Sequence, residues 1–422
     1  MHHTIKFTAF CAACALLLAG CGSSGDEPAP APVAPPVAVA PEPAPEPAPV
    51  PAPVPVVTKL ELLSSSARLM DSVVFYGGDA YVSLATSKSE GSGVLRAALP
   101  LSATSTWSPV GMGSCGMAAH GDLMLRSPRL KMVGENMWLM QPWYDAPQSA
   151  ADPSVCTLMA STASFIPRDQ DLKVCNDYFC ETLSTQDIKQ HGSRLYSNAG
   201  GGGNLLTSKD SGATWQVVRG AKESMMCYSA KFHFIGDRLL VGGECPLDMA
   251  FVESYQLNAD GSALASQDKL PITLPDMENR NVQFIDSVAG TQQVFIGVEG
   301  GLMRSDDNGR SFSFVIHEPL ADGKGYPYIG AFLALKDKPS TLVIGGFDKM
   351  HGRPYLAWSK DGGNTWTDIS SIVPGYANQA GDEHSVGTVS AIAQDPQGRI
   401  LVVVNERADS QGRLLQLTLG DK

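Results

Sequence analysis

Beyond residue 57 the chain alternates short apolar runs with turns marked by Gly or Pro, the signature of strands rather than helices. A segment such as Phe232-His233-Phe234-Ile235-Gly236-Asp237-Arg238-Leu239-Leu240-Val241 reads as two strands around a tight turn. Seven hairpins of this kind occur, at residues 73–84, 130–141, 187–198, 231–243, 282–298, 331–346 and 389–405. Their turns recur about every 53 residues, which points to one repeating architecture rather than several domains. The seventh unit ends one strand short after Arg413-Leu414-Leu415-Gln416-Leu417-Thr418-Leu419, while Lys59-Leu60-Glu61-Leu62-Leu63 is left over at the N-terminal side. A terminal strand that fills the gap closes a ring and abolishes its exposed sheet edges. The pattern therefore predicts an all-β fold, a seven-bladed β-propeller over residues 58–422 closed by the N-terminal strand, with six blades as the alternative.

Three segments share a finer pattern: Ser208 to Trp215, Ser305 to Phe312 and Ser359 to Trp366 all read Ser-x-Asp-x-Gly-x-Thr/Ser-aromatic. The fixed positions are Ser208, Asp210, Gly212 and Trp215; Ser305, Asp307, Gly309 and Phe312; and Ser359, Asp361, Gly363 and Trp366. This resembles the Asp-box, or bacterial neuraminidase repeat, of sialidases, sortilin-type receptors, xyloglucanases and the photosystem II stability and assembly factor family. In physical terms the carboxylate accepts N–H groups of its own turn, the Gly supplies a positive φ, and the aromatic starts the next strand against the neighbouring sheet. The three aspartates are thus expected to shape turns rather than to bind calcium or act as acids. Thr104 to Trp107 looks like a decayed copy in the first unit, and Asn258-Ala259-Asp260-Gly261 supplies only a turn in the fourth.

The N-terminal segment reads as an address. Lys6 precedes an apolar run from Phe7 to Ala19, which fits a signal peptide over residues 1–20. Leu18-Ala19-Gly20-Cys21 resembles the lipobox of bacterial lipoproteins, and that resemblance implies lipidation of Cys21 and, with Gly22 next, an outer-membrane lipoprotein facing the periplasm or the cell surface. Residues 21–57 form a linker, and its stretch from 28 to 57 holds 13 of the 29 prolines, a composition that favours semi-rigid polyproline II. The net charge of -12 argues against a nucleic-acid partner, since phosphate neutralisation needs a basic surface. The expected partners are the membrane, through the lipid, and a protein or glycan at the envelope.

Six cysteines remain after Cys11, Cys14 and Cys21 are assigned to the leader and the lipid. In an exported domain they read as three disulfides. Cys227 and Cys245 flank one hairpin, Cys175 and Cys180 close a small loop, and Cys115 with Cys156 remain. Their loops project from one face of the expected ring. Arg126, Arg129, Arg280, Tyr228, Tyr328 and Glu383 are candidate ligand residues there, with Arg168, Arg219, Glu278, Tyr326, Tyr376 and His384 in equivalent loops. Trp138 is expected in the core, and Trp143 and Tyr144 exposed. No metal-ligand spacing, cofactor motif or nucleophile elbow is present in the sequence, so no metal, cofactor or catalytic residue is assigned. Sialidases carry a Phe/Tyr-Arg-Ile-Pro segment, whereas Phe165-Ile166-Pro167-Arg168 has the arginine after the proline, where its guanidinium points elsewhere. The expected function is a non-catalytic binding or assembly scaffold; a sialidase-like glycoside hydrolase is the alternative.

Overall fold

A computed structural model of the protein describes residues 57–420 except 88, 118–127, 141–154, 160, 162, 169–172, 176–179, 183–184, 200–203, 221–227, 246–248, 278–279, 318–325, 377–386 and 407–409. Residues 1–56, on which the expected signal peptide, the expected lipidation at Cys21 and most of the expected linker fall, and Arg126, Cys227, Glu278, Trp143, Tyr144, Glu383 and His384 lie outside the described residues.

The fold is a seven-bladed β-propeller. After β1 (Lys59–Ser66), the first blade comprises β2 (Met70–Tyr76), β3 (Asp79–Leu84), β4 (Gly93–Ala98) and β5 (Ser108–Pro109). The second holds β6 (Arg129–Val133), β7 (Asn136–Met140), β8 (Val155–Met159) and β9 (Ser164–Pro167). A small hairpin, β10 (Lys173–Cys175) and β11 (Cys180–Thr182), precedes the third blade of β12 (Thr185–His191), β13 (Arg194–Ala199), β14 (Asn204–Ser208) and β15 (Gln216–Arg219). The fourth blade has three strands, β16 (Tyr228–Ile235), β17 (Arg238–Cys245) and β18 (Met249–Gln256). The fifth consists of β19 (Val282–Ser287), β20 (Val294–Val298), β21 (Gly301–Ser305) and β22 (Ser313–His317). The sixth follows with β23 (Pro327–Ala334), β24 (Leu342–Asp348), β25 (Arg353–Ser359) and β26 (Thr367–Asp368). The seventh is β27 (Gly387–Gln394), β28 (Ile400–Glu406) and β29 (Gln411–Thr418), completed by β1, which runs antiparallel to β29 from Lys59↔Thr418 to Ser66↔Gly412. Each hairpin expected from the sequence is the first strand pair of a blade.

Apolar clusters fill the spaces between blades. Tyr196, Leu205, Phe232, Leu239 and Val241 join the third blade to the fourth, and Phe295, Leu302, Leu342, Ile344 and Ala357 join the fifth to the sixth. Trp138 is 1% exposed, in a cluster with Ile188 and Leu195 of the third blade. At the join of the ring, the Asn405 side chain accepts from the Met70 N–H at 2.9 Å and donates to Ser390 Oγ at 2.6 Å, tying the last blade to the first.

The three Ser-x-Asp-x-Gly turns link third to fourth strands in the third, fifth and sixth blades. In each, the Ser hydroxyl donates to Oδ1 of the Asp and accepts the Gly N–H, while the same Oδ1 accepts the N–H of the Thr or Ser four residues past the Asp's own position. Donation by the Thr214 hydroxyl and N–H, joined by Ser208, holds the Asp210 carboxyl down at about 2, and Asp361 sits at about 2 through Thr365 in the same way. Gly212 has φ of 83°, and a Cβ there would meet the Trp138 ring of the preceding blade at 2.8 Å. At Gly309 and Gly363 the same atom would press on Ile235 and on Phe295, so the glycine serves both the turn and the close approach of blades. The fourth blade, which lacks this turn, shows no fourth strand among the described residues: its Asn258 to Ser262 turn is held by Asp260 accepting from the Ser262 N–H at 3.0 Å, and Leu270 N–H bonds back to Ser254.

Candidate functional site

The first strands of all seven blades surround a central cavity of about 610 Å³. Six of these strands carry a bulge, at Met70/Val73, Thr185/Ile188, Tyr228/Lys231, Val282/Phe284, Ile329/Ala331 and Val389/Ala391. A bulge inserts one residue and re-aims the side chains that follow it. Residues within or beside these insertions, among them Asp71, Ser72, Asp187, Gln283, Gly330 and Ser390, line the cavity.

The wall has two unlike halves. On the second to fourth blades, charges alternate with buried apolar residues along the strand: Arg129 and Lys131 about Leu130, Asp187 and Lys189 about Ile188, Lys231 and His233 about Phe232. Strand alternation sends the apolar set between blades and the charged set toward the axis. These groups bond across blades. Arg129 Nε donates to Asp71 at 2.8 Å, Lys131 donates to Asp187, Lys189 Nζ lies 3.1 Å from His233 Nδ1, and His233 Nε2 lies 2.8 Å from Ser287 Oγ with Asp286 3.7 Å from its other nitrogen. A polar chain thus runs from the first blade to the fifth.

Burial and like charge perturb the cations of this half. Burial, then the positive charge of Arg129, pushes the Lys231 ammonium down to about 7. Burial with Lys189 alongside pushes His233 down to about 4, so its imidazole is neutral at pH 7. Burial alone raises a carboxyl, yet for Asp187 the ammonium groups of Lys131 and Lys189 outweigh it and hold the group below its ordinary value.

The opposite half is mainly apolar and aromatic, built from Phe284 of the fifth blade and from the sixth and seventh blades, while Asn281, Gln283 and Asp286 of the fifth blade extend the polar side. Phe284 stacks on Phe332 with centroids 5.3 Å apart, and Tyr328 lies 4.6 Å from Phe347 and 5.7 Å from Tyr326. Val389, Ala391 and Ile392 complete it, with Thr388 and Ser390 supplying hydroxyls.

Of the residues expected to meet a ligand, Arg129 and Tyr328 line this cavity. Arg280 does not: it is 2% exposed, donates to the carbonyls of Glu299 and Gly300 at 3.1 and 2.9 Å, and lies between the Phe314 and Tyr326 rings. Its guanidinium fastens the segment before β19 to the β20–β21 turn, which corrects its placement on a ligand face. Arg219 is likewise engaged, with Glu253 at 2.7 Å and the Tyr255 ring, and Arg168 donates to Thr157 at 2.9 Å. Tyr255 donates to Glu253 at 2.6 Å, but this Tyr-Glu pair lies on β18, the outermost strand of its blade. Tyr228 and Cys245 are placed as backbone, at the start of β16 and the end of β17. Among the described lining residues Arg129 is the one guanidinium, and the described residues contain no group of His, Cys, Asp or Glu suited to a metal ion.

Cys115 and Cys156 form a disulfide, fully buried in the cluster between the first and second blades, so this bond braces core rather than an exposed loop. Cys175 and Cys180 are register partners in the β10–β11 hairpin. The residues that sequence reasoning passed over, Lys131, Asp187, Lys189, Lys231 and His233, carried a readable signal: two charged or polar residues, one apart, inside the first strand of three successive hairpins.

No family model matches the chain, and no curated protein sequence does. Solved structures do match. A structure of YCF48 bound to D1 peptide superposes with TM-score 0.50 and 13% identity, over 86% of this chain and 95% of that one. YCF48 from Cyanidioschyzon merolae gives 0.50 and 11%, over 85% and 98%. The GH74 xyloglucanase from Xanthomonas campestris gives 0.51 and 15%, over 83% of this chain and 53% of that one, so the chain spans about half its length. At such identities the likeness establishes the fold these chains share, the β-propeller.

Proposed function

We propose that this protein is a non-catalytic binding scaffold of the Asp-box type, a lipoprotein held to the outer membrane through Cys21 and offering its central channel to a protein partner at the envelope. The observation that carries the reading is the pre-arranged channel wall: ionic groups fixed by their neighbours on one side, aromatic rings on the other. Such a surface recognises a partner without first paying for its own ordering. The likeness to YCF48, whose structure holds a D1 peptide, supports a propeller with a protein ligand. The proline-rich composition of residues 28–57 favours polyproline II, which supports reading this stretch as a tether.

The test is site-directed photocrosslinking in living cells of the full-length protein. Probes at Lys131 and Tyr328, in the channel, should trap one discrete protein, whereas a probe at the exposed outer-strand residue Gln216 should not. Equal labelling from all three positions overturns the reading, as does release of sugar from sialosides or xyloglucan by the purified protein. Incorporation of labelled palmitate, lost in Cys21→Ser, tests the anchor.

A further inference from the structure

The charges of the channel do not cancel. Its described lining residues include four cations, Arg129, Lys131, Lys189 and Lys231, against three carboxylates, Asp71, Asp187 and Asp286, in a chain whose overall charge is -12. Two of those carboxylates are bonded to cations of the same wall, Asp71 to Arg129 and Asp187 to Lys131. The cavity therefore holds a small surplus of basic groups inside a negative molecule, with Lys231 part-charged until an anion beside it favours its ammonium form, and low-dielectric walls concentrate such a field. Facing it across the axis stand Tyr328, Phe332 and Phe347. On that aromatic side, between Tyr328 and Phe332 along β23, Gly330 is exposed and without any neighbour within 4 Å of where its Cβ would be. It is the inserted residue of the β23 bulge, outside the ladder between Ile329 and Ala331. A glycine at such a place leaves backbone open to the approach of another backbone.

Resting on the binding reading above, we propose that the channel takes an extended peptide segment of the partner in which a carboxylate side chain neighbours a large apolar one. The carboxylate lies against Arg129, Lys131 and Lys231, the apolar side chain lies on Tyr328, Phe332 and Phe347, and the peptide backbone passes over Gly330. A free inorganic anion uses the first wall alone, and an uncharged apolar ligand the second; the peptide uses both walls and the bare backbone. Its volume of about 610 Å³ falls within the roughly 300–1,000 Å³ of small-ligand sites, which suits a few side chains rather than a folded domain.

The test is fluorescence anisotropy on the full-length protein in detergent micelles, with four labelled hexapeptides. Their central pairs are leucine–glutamate, leucine–glutamine, leucine–lysine and serine–glutamate. The first should bind at least about tenfold more tightly than each of the others. Lys231→Met and, as an independent variant, Lys131→Gln should remove the preference for glutamate over glutamine, and Tyr328→Ala the preference for leucine over serine. Equal affinity for all four, or no binding of any up to about 1 mM, overturns the proposal. So does displacement of the leucine–glutamate peptide by sodium sulfate at matched ionic strength, which marks a plain anion site. Failure here with a discrete crosslinked partner at Lys131 and Tyr328 removes this ligand chemistry alone; loss of the crosslinks as well removes the binding reading.

Discussion

The two halves of the channel wall are built from the same element, the first strand of a blade, and hold together by different physics. On the second to fourth blades the inward side chains are mostly ionic, and hydrogen bonds from their charged groups join successive blades from the first to the fourth. On the sixth and seventh blades, with Phe284 of the fifth, the inward side chains are mostly rings and aliphatics that continue the interblade core up to the axis. The difference teaches that the ring needs contact between neighbouring blades but not any one kind of contact. An apolar wall gains from every buried methylene, whereas an ionic wall roughly offsets desolvation with pairing and keeps its specificity for charge. The ionic half is thus the one able to read charge in a ligand.

This contrast can be broken most strongly at the apolar half. Ile344→Ala, at a fully buried position beside Phe295 and Leu342, should cost about 2–5 kcal/mol in urea unfolding, with no dependence on salt. A loss well below that range means the apolar half is not held by packing. Next comes Asp187→Asn, which leaves the Lys131 and Lys189 ammonium groups facing each other without their shared carboxylate. Because Lys131 keeps some solvent, a loss of about 2 kcal/mol is expected, partly recovered at high salt. Absence of any salt response contradicts an ionic half.

Lys231→Met should act in the opposite sense. Its ammonium is held at about 7 in the fold against 10.5 unfolded, so between those values the unfolded chain binds the extra proton and stability rises with pH. The variant should be at least as stable as the parent at pH 7, and melting temperatures across pH 7 to 10 should show a shallower rise. A steeper rise refutes the assignment. The smallest effect is expected outside the channel, at Asp361→Asn. That carboxyl titrates at about 2 rather than 3.8, so its contribution is complete above the unfolded value and is lost as the pH falls from there toward 2. The variant should flatten the acid limb of the melting profile slightly while leaving the Lys231 window untouched.

Much of this architecture is legible in the chain. Hairpins announce themselves by apolar runs about a tight turn, and the leftover strand Lys59 to Leu63 pairs where the missing strand of the last blade required it. The Ser-x-Asp-x-Gly turns are equally plain, because their bonding is local. The glycine's second duty, against Trp138 or Phe295, is not, since the contact belongs to another blade. The channel was harder to read for a related reason. A bulge adds a residue that hydrophobic alternation cannot register, so Asp187 and Gln283 look out of phase until the register with the second strand is known. Arg280 illustrates the reverse error: an arginine in a loop resembles a ligand group until the carbonyls of Glu299 and Gly300 claim it.

The pairing of β1 with β29 sets an order in time. The first strand of the folded part has no partner until the last strand exists, because Lys59 meets Thr418 and Ser66 meets Gly412 across the whole span of the chain. A chain emerging from N- to C-terminus can assemble six blades from neighbours in sequence, but the seventh waits for the final residues. Until then β1 and the last completed blade each present a bare strand edge. Any premature stop before Gln411 therefore yields a molecule with two open ends rather than a slightly shorter ring, and the cell meets truncation as a polymerisation hazard instead of a partial loss of activity.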